Sequence, residues 1–290
     1  MRVCLACDHE LTGGDWRCRR CGFAPEERGG VPCFAPELAE DNQDYESDCY
    51  AEALELGDAN YWRATRLKLI LWGLERYFPR PRSFLEIGCG LGYVLAAIAR
   101  RHPGVELSGS DIYLESLEHS RRAVPEAGLF QADASQLPFR SHFAVAGAFD
   151  VLEHLDDDVG TLARMLTAVE PGGGIVVTVP QHPSLWSQRD VFLCHKRRYT
   201  RRELVGKVVG AGFEVLKVTS FFTFPFPAMA WANWRDRKPR EGYHPYTTLR
   251  VGKTTNALLT RLLDVERFFI KLGVSYPFGG SLFLAARRPG

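Results

Sequence analysis

Residues 83–94 read SFLEIGCGLGYV, a short apolar run into Glu86 followed by Gly88, Gly90 and Gly92 at every second position. Glycines repeated so closely at the end of a strand let a ligand touch the backbone. A carboxylate just before them suits a ligand that offers hydrogen-bond donors or positive charge. The residues beyond this turn decide the fold. YVLAAIARR reads as a helix, VELSGSD as a strand, LESLEHSRRA as a helix and GLFQAD as a short strand. FAVAGAFD then reads as a strand, DDVGTLARMLTAV as a helix and GGIVVTVP as a strand. Such alternation predicts parallel strands joined by right-handed crossovers, a doubly wound α/β sheet.

The flanks extend this pattern. From Asp58 a helical period places Leu67, Ile70, Leu71, Leu74 and Tyr77 on one face and stops at Pro79 and Pro81. Thr200 and Glu203 in YTRREL predict a capping box that opens a helix running to about Gly210. FEVLKVTS then reads as a strand, and SLFLAARR, directly after Gly279 and Gly280, as its antiparallel edge partner.

In open parallel sheets ligands sit beyond the carboxyl ends of the strands, where the strand order reverses. A dinucleotide fingerprint requires glycine or alanine at position 93, where Tyr93 stands, and a P-loop requires a Gly-Lys-Ser/Thr that is absent. What remains is Glu86-x-Gly88-x-Gly90-x-Gly92, with no pyrophosphate to hold. The second strand ends in Asp111, which can accept from both hydroxyls of a ribose or simply cap a helix. The third ends in Asp133-Ala134; an acid followed by a small residue can take an exocyclic amine and offer a backbone N–H to a ring nitrogen. The fourth ends in FDVLEHL, and EPGGG introduces the fifth.

EIGCGLG, the acid after the second strand, DASQLPF, FDVLEHL and EPGGGIVVTVP occur in this order between about 82 and 180, and together they resemble the class I S-adenosylmethionine-dependent methyltransferases. The resemblance implies a Rossmann-like, seven-stranded, mostly parallel sheet with an antiparallel last strand, and S-adenosylmethionine as cofactor. Carried over by position, Glu86, Gly88 and Gly90 would line the methionine end, with Cys89 and Gly92 in the same loop. Asp111, followed by Ile112, would take the ribose and Asp133 with Ala134 the adenine. Phe149 and Asp150 would flank the mouth where the methyl group leaves.

Cys4, Cys7, Cys18 and Cys21 form two CxxC pairs, the second followed by Gly22. Two such turns can aim four thiolates at one point, the tetrahedral demand of structural zinc. The expected organisation is a zinc ribbon over 1–30, a linker with one short helix over 31–57, and a methyltransferase domain over 58–290 carrying a lid-like, aromatic-rich insertion at about 221–279. HKRRYTRREL with the terminal GGSLFLAARRP also resembles a bacterial subgroup of these methyltransferases fused to a small zinc-ribbon module.

Bulk properties narrow the partners. The 290 residues are 46% hydrophobic and 24% charged, ordinary for a soluble protein, and a net charge of +1 supplies no field to draw in a polyanion. That weighs against nucleic acid. MRVCLACDHE lacks a signal-peptide core, and FFTFPFPAMAW (221–231) is too short to cross a bilayer. A cytoplasmic location is expected, with peripheral membrane contact left open, and eight cysteines in that reducing compartment do not read as a disulfide framework.

Methyl transfer is an in-line displacement that gains from alignment and needs a base only when the acceptor is protonated. His154, His182 and His195 are the candidates at the sheet's carboxyl end. Lys196, Arg197, Arg198, Arg201 and Arg202 crowd a helix start, where cations oppose the dipole. Arg197, Arg198 and the neighbouring Tyr199 are therefore candidates to face an anionic acceptor, with Phe221, Phe222, Phe224, Phe226, Trp231 and Trp234 as an apolar wall. The expected acceptor is a small molecule, a glycan or a lipid-linked precursor. The alternatives are a ribosomal-RNA methyltransferase that uses the ribbon on RNA, and a non-catalytic cofactor-binding scaffold.

Overall fold

The computed structural model describes residues 1–41, 55–238, 243, 246 and 249–290. Its centre is one sheet. Strands β3 (Ser83–Ile87), β4 (Glu106–Asp111), β5 (Gly128–Gln131), β6 (Phe143–Phe149) and β7 (Val169–Pro180) are mutually parallel. β9 (Ser281–Arg287) runs antiparallel between β7 and β8 (Glu214–Phe221). The order across the sheet is β1-β2-β5-β4-β3-β6-β7-β9-β8, so chain order reverses at β3 and the ligand crevice falls at its carboxyl end.

The sheet is covered on both faces, so its central strands are buried on both sides, their polar residues included. β3 is buried throughout, and its residues alternate: Leu85 and Ile87 join one core, Phe84 the other. The same alternation sends Val177 and Leu284 to the first core and Val176 and Phe283 to the second. Helices α2 (Tyr61–Tyr77), α3 (Tyr93–Arg101) and α4 (Leu114–Ala123) supply the second core, and α5 (Asp158–Ala168) and α7 (Arg201–Gly210) the first. α2 begins at Asn60, whose side chain accepts from the Trp62 amide at 3.0 Å while its amide donates to the Leu249 carbonyl at 2.9 Å. Its buried face is Leu69, Ile70, Gly73 and Leu74, a slight rotation from the expected stripe, because the Phe283 ring presses against Gly73 where a Cβ would collide.

Three local differences from expectation have plain causes. Two short strands, β1 (Glu26–Arg28) and β2 (Val31–Cys33), form a hairpin through Gly29 and Gly30, both at positive φ, and β2 continues the sheet beside β5. The expected linker therefore contributes Val31–Cys33 to the sheet, followed by a short helix α1 (Pro36–Asp41). Buried Gln131 clamps this segment, accepting from the Ala35 amide at 3.1 Å and donating to the Ala35 carbonyl at 2.6 Å. The capping box at α7 is half made: Thr200 accepts from the Glu203 amide at 3.1 Å, but Glu203 turns to Lys207 at 3.2 Å. β7 starts earlier than GGIVVTVP, at Val169, with residues 170–173 looping out between its pairings to Phe143 and Val145.

Candidate functional site

The turn from β3 into α3 shows what each glycine does. Gly88, Gly90 and Gly92 all have positive φ. A Cβ at Gly88 would collide with Val151, and one at Gly92 would lie 2.8 Å from the Ser120 hydroxyl, so these two permit close packing. Gly90 differs, since no protein atom lies within 4 Å of where its Cβ would be. Gly90 therefore faces open space in the cavity wall, and Gly92 serves the contact between α3 and α4. Asp111 holds the loop, accepting from the Gly90 amide at 2.8 Å and from the Tyr113 amide at 3.0 Å. Cys89 is buried, and burial pushes its thiol well above the ordinary range, as befits a packed loop residue.

Glu86 is buried beneath this turn, and burial raises its carboxyl well above the usual carboxylate range while the Leu95 amide acts in the opposite direction. One carboxylate oxygen of Glu86 has no partner among the described residues. A cavity of about 540 Å³ opens directly above it. Glu86, Gly88, Cys89, Gly90, Phe149 and Asp150 line it, with Arg63 and Arg66 from α2. Arg63 stacks on Tyr93 at 4.1 Å, and one of its guanidinium nitrogens is buried without a partner. Gly92, Asp111, Ile112, Asp133 and Ala134 lie outside this lining, at the neighbouring strand ends; Asp133 accepts from the Ser135 amide at 2.8 Å.

Glu153, His154, His195 and Arg198 also line the cavity. Glu153 and His154 sit in a single helical turn, Leu152–His154, directly after β6. His195 follows helix α6 (Gln188–Phe192), whose start is a reciprocal capping box between Ser187 and Asp190. The Lys196 amide donates to the Glu153 carbonyl at 2.7 Å and fastens the two segments together. His195 Nδ1 lies 2.9 Å from Asp190, and Arg198 Nε donates to the same carboxylate oxygen at 2.7 Å. Burial alone would raise the Asp190 carboxyl, but these bonds from His195 and Arg198 outweigh it and hold it at about 2. Burial pushes Glu153 up to about 8 and His154 down to about 3. Asp150, at φ 57°, accepts from the Thr178 hydroxyl at 3.1 Å and pairs with Arg66. A non-glycine residue in this region of backbone space is strained, a frequent feature of functional sites.

Of the three histidines, His154 and His195 meet in the cavity, their rings 4.8 Å apart and nearly perpendicular. His182 does not line it; the ring packs 5.3 Å from Phe226. The basic run is also placed differently from expectation. Arg197 pairs with Asp158 at 3.2 Å, and Lys196 pairs with Asp156. Fully buried Tyr199 bonds Asp158 at 2.6 Å, and Arg201 donates to the Val218 and Tyr276 carbonyls at 3.0 Å. Only Arg198 of Arg197, Arg198 and Tyr199 reaches the cavity, and Asp190 already answers it. Carboxylates from distant segments, invisible to a local dipole argument, neutralise the run. Replacing Arg198 by Ala should consequently destabilise the fold by about 3–5 kcal/mol, because it strands the fully buried Asp190, and urea denaturation measures the loss. A variant as stable as the parent would contradict this pairing.

Arg63, Arg66, Glu153 and Asp190 were not singled out from sequence. The available signal was weak: two arginines three apart on α2, and an acid preceding the histidine of FDVLEHL.

Far from the cavity, Cys4, Cys7, Cys18 and Cys21 converge with their sulfurs within 4.8 Å of one another; the pairs Cys4–Cys21 and Cys7–Cys18 are each 3.6 Å apart. Amides of Ala6 and Cys7 face the Cys4 sulfur, and those of Arg20 and Cys21 the Cys18 sulfur. The cluster docks on the sheet edge: the Val3 amide donates to the Pro138 carbonyl at 3.0 Å, and Trp16 packs edge-on to Phe34 and Phe139.

A glycine turn at the switch point, an acid after each of the next two strands and a cavity beside the turn are what a nucleoside cofactor needs in a doubly wound sheet. The family described as a methyltransferase domain matches residues 59–218, more than half of the chain, and the chain belongs to it. A probable S-adenosylmethionine-dependent methyltransferase of Mycolicibacterium smegmatis is 28% identical over 166 residues, 55% of this chain and 62% of that protein. A ubiquinone biosynthesis O-methyltransferase of Aeromonas salmonicida is 30% identical over 114 residues, 36% of this chain and 46% of its own. A trans-aconitate 2-methyltransferase of Methylobacterium radiotolerans is 32% identical over 102 residues, 35% and 39% of the two chains. The chain thus spans less than two thirds of the length of these relatives. Among solved structures, phosphoethanolamine N-methyltransferase 2 of Haemonchus contortus superposes with a TM-score of 0.58 at 17% identity, over 88% of this chain and 60% of that one. An S-adenosylmethionine-dependent methyltransferase of Mesorhizobium loti gives 0.50 at 19% identity, over 76% and 98%. At such identities the superpositions establish the fold alone.

Proposed function

We propose that the chain transfers a methyl group from S-adenosylmethionine to a small, partly apolar acceptor held in the 540 Å³ cavity. One observation carries this reading. The unpartnered oxygen of Glu86 and the unpartnered guanidinium nitrogen of Arg63 belong to residues lining one cavity, beside a glycine turn left open at Gly90. They complement an ammonium and a carboxylate, the two charges of the donor's methionine portion, and the donor would satisfy both. When bound, the donor supplies an electrophilic methyl group on a sulfonium. Asp111 would take the ribose hydroxyls while keeping the Gly90 amide in place, and Asp133 with Ala134 the adenine. Glu86 and Arg63 would orient the donor, and Phe149 and Asp150 would face its reactive end.

The cavity roof indicates what the acceptor looks like. It includes Met229 and Ala232 of α8 (Phe226–Arg235), Leu259 of α9 (Lys253–Lys271), and Tyr246. The outer side of the same helices is apolar and exposed: Trp231 and Trp234 on α8, and Leu258, Leu262, Val265 and Phe269 on α9. On α9 the four- and three-residue spacing puts Leu258, Leu262, Val265 and Phe269 in one stripe, the pattern of a helix lying on a lipid surface. It supports a lipid-linked acceptor over a glycan, and the apolar roof supports a small acceptor over RNA. Among the described residues no helix is long and apolar enough to cross a membrane, so contact through this stripe would be peripheral. In the cytoplasm, where thiols stay reduced, the four-cysteine cluster would hold a structural Zn²⁺. A tetrahedron with bonds of about 2.3 Å has edges of about 3.8 Å, close to the 3.6 Å sulfur separations.

Incubating the protein and S-adenosylmethionine with separated lipid and aqueous metabolite extracts should release S-adenosylhomocysteine with the lipid fraction. Release confined to the aqueous fraction would refute the lipid acceptor. No release from either, despite donor binding, would favour the scaffold reading.

A further inference from the structure

We propose that Glu153, His154 and His195 form a divalent-metal site in the wall of the cavity. Each offers one ligand atom, and the three atoms lie within 4.8 Å of one another. Glu153 is fully buried, and among the described residues neither of its carboxylate oxygens has a hydrogen-bond partner. Buried carboxylates in folded proteins are paired, hydrogen-bonded or bound to metal. The nearby cations are already committed, Arg66 to Asp150 and Arg198 to Asp190. Both guanidiniums still lower the Glu153 carboxyl through space, but neither hydrogen-bonds it.

The surroundings of the imidazoles match what metal-bound histidine needs. Asp190 engages His195 Nδ1 at 2.9 Å, which leaves Nε2 to carry the lone pair. The Cys194 carbonyl stands within hydrogen-bonding reach of the His154 ring and orients it in the same way. Outer partners of this kind fix the tautomer and direction of ligating histidines. The 2.7 Å bond from the Lys196 amide to the Glu153 carbonyl holds the ligand-bearing segments side by side. Bonds of about 2.1 Å would draw the ligand atoms to about 3 Å from one another, a closure that side-chain rotation can provide. Two nitrogens and one oxygen suit Mn²⁺, Fe²⁺, Co²⁺ or Zn²⁺ better than the all-oxygen preference of Ca²⁺ or Mg²⁺. Three protein ligands leave positions open to the cavity, where they would take an oxygen or nitrogen of the acceptor. That last role rests on the methyltransferase reading; the metal site does not. It also makes His154 and His195 ligands, where sequence suggested bases.

Mn²⁺ is the probe, because it disfavours the thiolates of the cysteine cluster. Full-length protein, stripped of loosely held metal and with zinc kept in the ribbon, is titrated with Mn²⁺ and followed by electron paramagnetic resonance. The expected result is about one bound Mn²⁺ per chain with hyperfine coupling to imidazole nitrogen, weakened about 10- to 100-fold in Asp190→Asn and more in His154→Ala or Glu153→Gln. Retained circular dichroism shows that a variant is folded. Should the variants not fold, the wild-type spectrum decides alone: bound Mn²⁺ without nitrogen coupling, or no bound Mn²⁺, overturns the site. Parallel titration with S-adenosylhomocysteine separates the two ideas. Binding of the nucleoside without Mn²⁺ sinks the metal site alone, whereas Mn²⁺ with imidazole coupling in a protein that ignores the nucleoside upholds the site and sinks the methyltransferase reading.

Discussion

Gly90→Val should abolish S-adenosylhomocysteine binding in calorimetry, an effect larger than that of Asp111→Ala. Two costs coincide at position 90. The backbone is left-handed there, with φ 52°, a conformation that costs an L-residue roughly 1–2 kcal/mol and a β-branched one more. The new side chain would also project where no protein atom lies within 4 Å, the space assigned to the ligand. Neighbouring Gly88 and Gly92 make a useful contrast, because a Cβ at either meets protein, at Val151 or Ser120. Substitutions there should lower stability first and binding as a consequence. Asp111→Ala removes a charge-assisted acceptor of about 1.5–3 kcal/mol, together with the bond that positions the Gly90 amide. If Gly90→Val binds the ligand as well as Asp111→Ala does, Gly90 does not face the ligand and the crevice has been placed wrongly.

The second large effect is expected at the other end of the chain. Cys18→Ser with Cys21→Ser should remove zinc from the cysteine cluster and release the first thirty or so residues to protease. So small a segment has almost no core of its own, and structural zinc contributes roughly 10–16 kcal/mol of apparent folding energy in comparable peptides. The loss should spread into the sheet edge, because Trp16 packs on Phe34 and Phe139 and the Val3 amide bonds Pro138. The β1–β2 hairpin should loosen with it. Donor binding should survive, since none of the four cysteines lines the cavity. Elemental analysis and limited proteolysis read the two outcomes; full retention of zinc by the double variant would refute the assignment.

Where a feature was local and repeated along the chain, it could be read from sequence. The strand-helix alternation, the glycine turn and the acids at positions 111 and 133 are each set by neighbours in sequence, and the sheet followed from them. β1 and β2 escaped because three-residue strands are too short for a period, and their pairing depends on Gln131, nearly a hundred positions away. The basic run misled for a related reason. Charges at a helix start oppose the dipole only if nothing else meets them, and Asp156, Asp158 and Asp190 do so from other segments. Arg63 and Glu153 became visible as site residues only once α2 and the turn after β6 were placed around the same cavity. Their missing partners are a property of the folded chain.

Titration of the unmodified protein with S-adenosylhomocysteine, beside NADH, tests the central claim most directly. Both carry an adenosine that a doubly wound sheet can hold, and they differ in what the turn after β3 must accommodate: an amino acid or a pyrophosphate. A turn with Tyr93 where a dinucleotide site needs glycine or alanine, and with Glu86 and Arg63 awaiting opposite charges, should bind the amino-acid nucleoside at one per chain and leave NADH unbound. Tight NADH binding with no response to S-adenosylhomocysteine would contradict the account.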